Sequence, residues 1–136
     1  MRLYVIAETD YLIGLLFKRD KLHNSVINAN RKYFVLLSPY TFMEFHLCVL
    51  SGRIVVRDLK AFFSQCSKII KGFNIRVLPD NLLIHSESFK LREEYRLTLF
   101  DSLHAATAIH YKVPLLSADE TYREIKGLSW IDLKKI

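Results

Sequence analysis

Residues 99–122 read LFDSLHAATAIHYKVPLLSADETY, and the fold is decided there. Leu99 to Tyr111 reads as a helix rich in small residues, with Asp101 near its start. Val113–Ser117 follows almost at once, an apolar run of strand length whose proline sits near the start, where a strand tolerates it. A helix that feeds directly into a short buried strand is the repeating step of a parallel sheet.

The same alternation continues outward. Leu3–Ala7 is a short apolar run consistent with a buried strand, and Thr9 or Asp10 can cap the helix that carries Tyr11, Leu12, Leu15 and Leu16. A basic helix is expected over Lys21 to Arg31. Phe34–Ser38 predicts the second strand, with Ser38 and Pro39 as cap and first residue of a helix holding Glu44. Leu59, Phe62, Phe63, Cys66, Ile69 and Ile70 fall at helical spacing within Ile54–Phe73. Asn74–Leu78 predicts a third strand, followed by a helix over about Asn81 to Tyr95. Beyond residue 118, a short helix over Asp119–Ile125 leads through Gly127 to a fifth strand, Ser129–Leu133. The expected architecture is α/β, a mainly parallel five-stranded sheet with helices on both faces. At this length it forms a single domain, residues 1–136.

In such sheets, sites form beyond the carboxyl ends of the strands. Glu8 and Asp10 follow the first strand, Glu44 lies in the helix after the second, and Asp119 stands just past the fourth. With Asp101 near its helix start, all five should face one edge. Asp10, Asp101 and Asp119 each also suit a helix start. Glu44, between Met43 and Phe45, has no such simple role. A buried carboxylate is costly unless paired or metal-bound, and a cluster of them is relieved most simply by a hard cation. Oxygen donors without His or Cys suit Mg²⁺ or Mn²⁺, ions that activate water in phosphodiester cleavage. His104 is expected either at the edge of this site or as a hydrogen-bonded helix histidine. Tyr11, Tyr40 and Phe42 read as core or rim packing rather than as base-stacking groups.

Charge adds a weaker clue. The chain has 20 Lys and Arg against 14 Asp and Glu, and the whole excess of +6 falls within residues 1–86. A basic surface of this kind attracts phosphate backbones, and serves solubility equally well. Lys18, Arg19, Lys21, Arg53 and Arg57 are the candidate nucleic-acid contacts. Cys48 and Cys66 lack CxxC spacing and read as buried free thiols, which points to the cytoplasm. No apolar run has the length of a membrane span.

The stretches VIAETDYLIGLL, LSPYTFMEF, LFDSLHAATAIHYKVPLLSADETY and the closing WIDL resemble the PIN domain, particularly the small VapC-type toxin ribonucleases and their archaeal relatives. The resemblance covers nearly the whole chain in the family's order. It implies a Rossmann-like sheet, Mg²⁺- or Mn²⁺-dependent endoribonuclease activity on RNA, a frequent homodimer, and in toxin members a small antitoxin that blocks the site. Glu44, Asp101 and Asp119 match three of the family's acids, Ser117 a hydroxyl residue that helps hold the site, and Thr9 a hydroxyl or cap beside it. The departure is at the first acid. Where the family shows Asp-Thr-Ser or Asp-Thr-Asn, this chain has Glu8-Thr9-Asp10. Either Glu8 coordinates the metal with its longer arm, or Asp10 takes over while Glu8 supports it. The competing expectation is a PIN-like binding module, of RNA or protein, whose site has drifted through this change. A phosphatase or receiver domain fits less well, because Glu8 stands where a D-x-D nucleophile belongs.

Overall fold

The computed structural model describes residues 2–136. In chain order the elements are β1 (Leu3–Ala7), α1 (Thr9–Leu16), α2 (His23–Lys32), β2 (Tyr33–Leu37), α3 (Thr41–Leu50) and α4 (Leu59–Gly72). There follow β3 (Arg76–Val77), α5 (Leu82–Tyr95), α6 (Leu99–Tyr111), β4 (Leu115–Ser117), a 3₁₀ turn (Glu120–Glu124) and β5 (Trp130–Asp132). The strands form one sheet in the order β3-β2-β1-β4-β5, with every neighbouring pair parallel. The chain runs outward from β1 to β3, then returns to the other side of β1. That reversal puts a crevice between the carboxyl ends of β1 and β4, where α/β sheets place their sites.

The core is double-sided because the strands are apolar on both faces. Val5, Ala7, Val35, Leu37 and Leu116 pack with α1, α2 and α4, whereas Ile6 and Leu115 pack with α5 and α6. Small residues let α6 lie close to the sheet, and every residue from Ser102 to Ala108 is buried. Gly14 serves the α1–α2 contact, since a Cβ there would lie 2.8 Å from the Val26 Cγ2 methyl. No described helix is long and apolar enough to cross a membrane.

Several local expectations change. Glu8, rather than Thr9 or Asp10, caps α1, its Oε1 accepting the Asp10 N–H at 2.9 Å. Ser38 and Pro39 precede α3 instead of starting it. The Ser38 N–H still pairs with the Ala7 carbonyl and extends β2, its hydroxyl meets both His104 and the Tyr40 N–H, and the helix begins at Thr41. Residues Ile54 to Arg57 are not helical, because Asp58 supplies the cap and α4 starts after it. β3 shrinks to two residues at the sheet's edge. β1 is buried only in its carboxyl half: Leu3 and Tyr4 are 63% and 56% exposed.

Candidate active site

The carboxyl edge gathers all five predicted acids through three short hydrogen-bond chains. The first starts at Glu8, which is buried where β1 gives way to α1. Its Oε1 accepts the Asp10 N–H and its Oε2 accepts the Tyr122 hydroxyl at 2.9 Å. The same hydroxyl lies 3.2 Å from Asp101 Oδ1. Tyr122 is fully buried, so one phenol joins acids from β1 and α6.

The second chain runs from Asp10 into the β4 loop. Asp10 Oδ2 accepts the Ser117 hydroxyl at 3.0 Å and the Ala118 N–H at 2.7 Å. Ser117 Oγ in turn accepts the Asp119 N–H at 3.0 Å, and Asp119 Oδ1 caps the 3₁₀ turn through Thr121. The third chain centres on Glu44. Its Oε1 accepts from the Thr9 hydroxyl and from His104 Nε2 at 2.8 Å, while His104 Nδ1 meets Ser38 Oγ at 2.7 Å. An ionised Glu44 only accepts, so the Nε2 proton of His104 points to it.

The electrostatics follow from these contacts. Burial, and then the Asp10 charge beside it, pushes the Glu8 carboxyl well above its ordinary value. Asp101 is raised too, first by burial and then by the charges of Asp119 and Glu44. Glu44 goes the other way: burial raises it, but the hydrogen bonds from His104 and Thr9, together with the charges of His104 and Arg53, hold it below the ordinary value. Tyr122 is raised by burial and by its acidic neighbours, which keeps the phenol a donor. At Glu8 and Asp101, burial and neighbouring charge together outweigh the hydrogen bonds.

The donor set fits a hard divalent cation. Asp10 Oδ1 is buried and has no hydrogen-bond partner, the signature of an oxygen left for something else to satisfy. Ligand atoms of Glu8, Glu44 and His104 lie within 4.8 Å of one another. Both nitrogens of that imidazole are already committed, however, so the available donors are carboxylate oxygens.

Tyr122 and the Ser38–His104 pair carry contacts that sequence reading did not assign. Their partners lie far away in the chain, and only the position of Tyr122, three residues past Asp119, hinted at it. His104 is the hydrogen-bonded helix histidine and touches the acidic cluster as well. Tyr11 and Tyr40 are buried, as packing requires, while Phe42 is half-exposed. The basic candidates separate. Lys18, Arg19 and Lys21 are exposed beyond the far end of α1, roughly 12 Å along the helix from Glu8. Arg53 and Arg57 are exposed in the loop after α3, and the Arg53 charge acts on Glu44.

Comparison with known proteins agrees with the fold. Three solved structures superpose over almost their whole length: a toxin–antitoxin complex from Klebsiella pneumoniae (TM-score 0.68, 20% identity, 95% of this chain and 97% of that one); VapBC2 from Rickettsia felis bound to a promoter DNA fragment (0.72, 14%, 96% and 98%); and PAE2754 from Pyrobaculum aerophilum (0.66, 21%, 99% and 94%). At these identities the likeness is one of fold. No curated protein matches the sequence. The PIN domain model matches residues 5–128, from the first strand through the 3₁₀ turn that carries Tyr122. The chain therefore belongs to the PIN domain family.

Proposed function

We propose that the protein is a metal-dependent ribonuclease of the toxin type, working at the carboxyl edge of the sheet. The observation that carries this is the free, buried Oδ1 of Asp10 among acids that are otherwise tied down. Asp10, Glu44, Asp101 and Asp119 are the residues that would hold Mg²⁺ or Mn²⁺. A bound divalent ion supplies an activated water and neutralises charge on the phosphodiester being cut. The chain's own groups prepare that chemistry. Both Glu8 oxygens already accept hydrogen bonds, so Glu8 positions the Asp10 backbone and Tyr122 rather than offering a free oxygen. Ser117 and the Ala118 N–H aim Asp10, while Thr9 and His104 aim Glu44 and keep it ionised. Exposed Arg53, whose charge reaches Glu44, is the best-placed of the basic candidates to hold the RNA backbone.

The toxin reading also calls for an antitoxin, as the names of two fold neighbours suggest for those proteins. An apolar cavity of about 500 Å³ opens between α1, α3 and α4, lined by residues such as Leu12, Phe45, Phe63 and Ile70. Phe42, Met43 and Leu47 stand exposed on α3. This surface suits the apolar side of a partner helix, from an antitoxin or from a second copy.

Mn²⁺ calorimetry on the parent and on Asp101→Asn, followed by cleavage of RNA oligonucleotides, tests the proposal. Binding and cleavage by the parent, both lost in the variant, are the expected result. A second reading rests on the Glu8–Tyr122 contact, which satisfies Glu8 without a metal: the fold would then be a binding module with impaired chemistry. A folded parent that does not bind Mn²⁺ selects it.

A further inference from the structure

The opposite edge of the sheet has a composition of its own. Segments 2–4, 30–34 and 73–76 come together around the amino halves of β1 and β2 and contain Arg2, Arg31, Lys32 and Arg76, but no Asp or Glu. Tyr4 and Phe34 are register partners on β1 and β2, with ring centroids 5.2 Å apart. They lie on the sheet face shared with Ile6, yet α5 and α6 cover only the carboxyl half of that face, and the two residues remain 56% and 40% exposed. The Arg2 guanidinium sits 4.2 Å over the Phe34 ring, near the Asn30 and Arg31 carbonyls. A cleft of about 240 Å³ joins these groups to Phe73, Asn74 and Arg76.

We infer that this amino-edge cleft is a second nucleic-acid site, one that holds single-stranded RNA without cutting it. Exposed aromatic faces, guanidinium groups and side-chain amides are the set by which proteins stack and hydrogen-bond unpaired bases. The uniform positive charge selects a polyanion. The cleft is smaller than the roughly 300 Å³ at which drug-sized sites begin, so it fits a base rather than a folded ligand. Four residue steps along β1 separate Tyr4 from Glu8, which sets this site roughly 13 Å from the acids. A strand held here has its next nucleotides free to reach the carboxyl edge. The role as a substrate-holding site rests on the ribonuclease reading above; the binding itself does not.

The test is fluorescence anisotropy with a labelled short oligouridylate, in chelator so that nothing is cut. Tyr4→Ala should weaken binding roughly tenfold or more with the salt dependence unchanged, and Tyr4→Phe should restore it, since stacking needs the ring and not the hydroxyl. Arg76→Glu should lower the slope of log affinity against log salt by about one. Wild-type binding by both Tyr4→Ala and Arg76→Glu would overturn the inference. So would equally tight binding of polyglutamate that ignores Tyr4→Ala, which would assign the patch to acidic proteins. If Tyr4→Ala does not fold, exposed Arg76 on the two-residue edge strand still decides the matter. Asp101→Asn separates the two proposals. It should bind oligouridylate as the parent does, whereas a parent that binds here but cuts no RNA overturns the ribonuclease reading alone.

Discussion

The two ends of the sheet are built from the same strands and could hardly differ more in charge. At the carboxyl end, Glu8, Asp10, Glu44, Asp101 and Asp119 are held by buried and half-buried hydrogen bonds. At the amino end, basic side chains and open aromatic rings meet with no carboxylate in the segments that form it. Helix and strand direction explain the first: each βα turn at the carboxyl end starts a helix, and helix starts both accommodate and align acids. The second arises from incomplete cover, because α5 and α6 stop short of Tyr4 and Phe34. One end is made by the gathering of acids at helix starts, the other by what the helices leave bare.

That contrast can be broken most severely at Asp10. Asp10→Asn should reduce Mn²⁺ affinity by more than the roughly 10- to 100-fold that outer contacts of a metal site are worth. Cleavage should fall with it, and oligouridylate binding in chelator should not change. Calorimetry and anisotropy on the same preparation read both ends at once. A variant that kept full Mn²⁺ affinity would return the ligand role to Glu8.

Tyr122→Phe is the next largest. It removes only the hydroxyl shared by Glu8 and Asp101 while keeping the buried ring. Mn²⁺ affinity should drop roughly 10-fold, within the range for groups that orient ligands. An unchanged affinity would mean that packing alone fixes the two acids.

A titration of stability should separate the ends further. Glu8 has its folded value raised above an ordinary 4.5, so the folded state prefers it protonated. Without metal its contribution is fully present below that ordinary value, and stability declines as pH rises from there toward the raised folded value. Across that window one differential proton costs roughly 1.4 kcal/mol per pH unit. Glu44, held below its ordinary value, has the opposite sign: its stabilisation is present above the ordinary value and is lost as pH falls through the lowered one. Thermal unfolding from pH 4 upward should show the decline in the parent, a smaller one in Glu8→Gln, where raised Asp101 still contributes, and none with saturating Mn²⁺. The smallest effect belongs to the basic end. Arg76→Glu should shift stability by less than about 0.5 kcal/mol and leave Mn²⁺ binding untouched, as chemical denaturation and calorimetry can verify.

Much of the carboxyl end is legible in the sequence. Apolar runs such as Leu3–Ala7 and Val113–Ser117 announce strands, and acids placed just after them must share an edge once the sheet is parallel. The partners that set their behaviour are not legible. Tyr122 meets Glu8 across 114 positions and His104 meets Ser38 across 66, distances at which no local pattern survives. The cap of α1 also escapes, since backbone geometry chooses among Glu8, Thr9 and Asp10 where composition allows any of them. The amino end is hidden for a different reason. Tyr4 and Phe34 belong to apolar runs that read as buried, and only the reach of distant helices decides that they are not.

Trp130 gives the molecule a built-in optical gauge. It is the single tryptophan, its indole N–H donates to the Ser117 carbonyl at 3.1 Å, and the Arg123 guanidinium lies 5.3 Å from its ring centroid. The same Ser117 donates its hydroxyl to Asp10. Any event that pulls on Asp10 therefore reaches the one strongly emitting fluorophore through a single residue. Ion titrations, chelation and partner docking at the acidic end can be followed by intrinsic emission, with no label attached and no substrate identified.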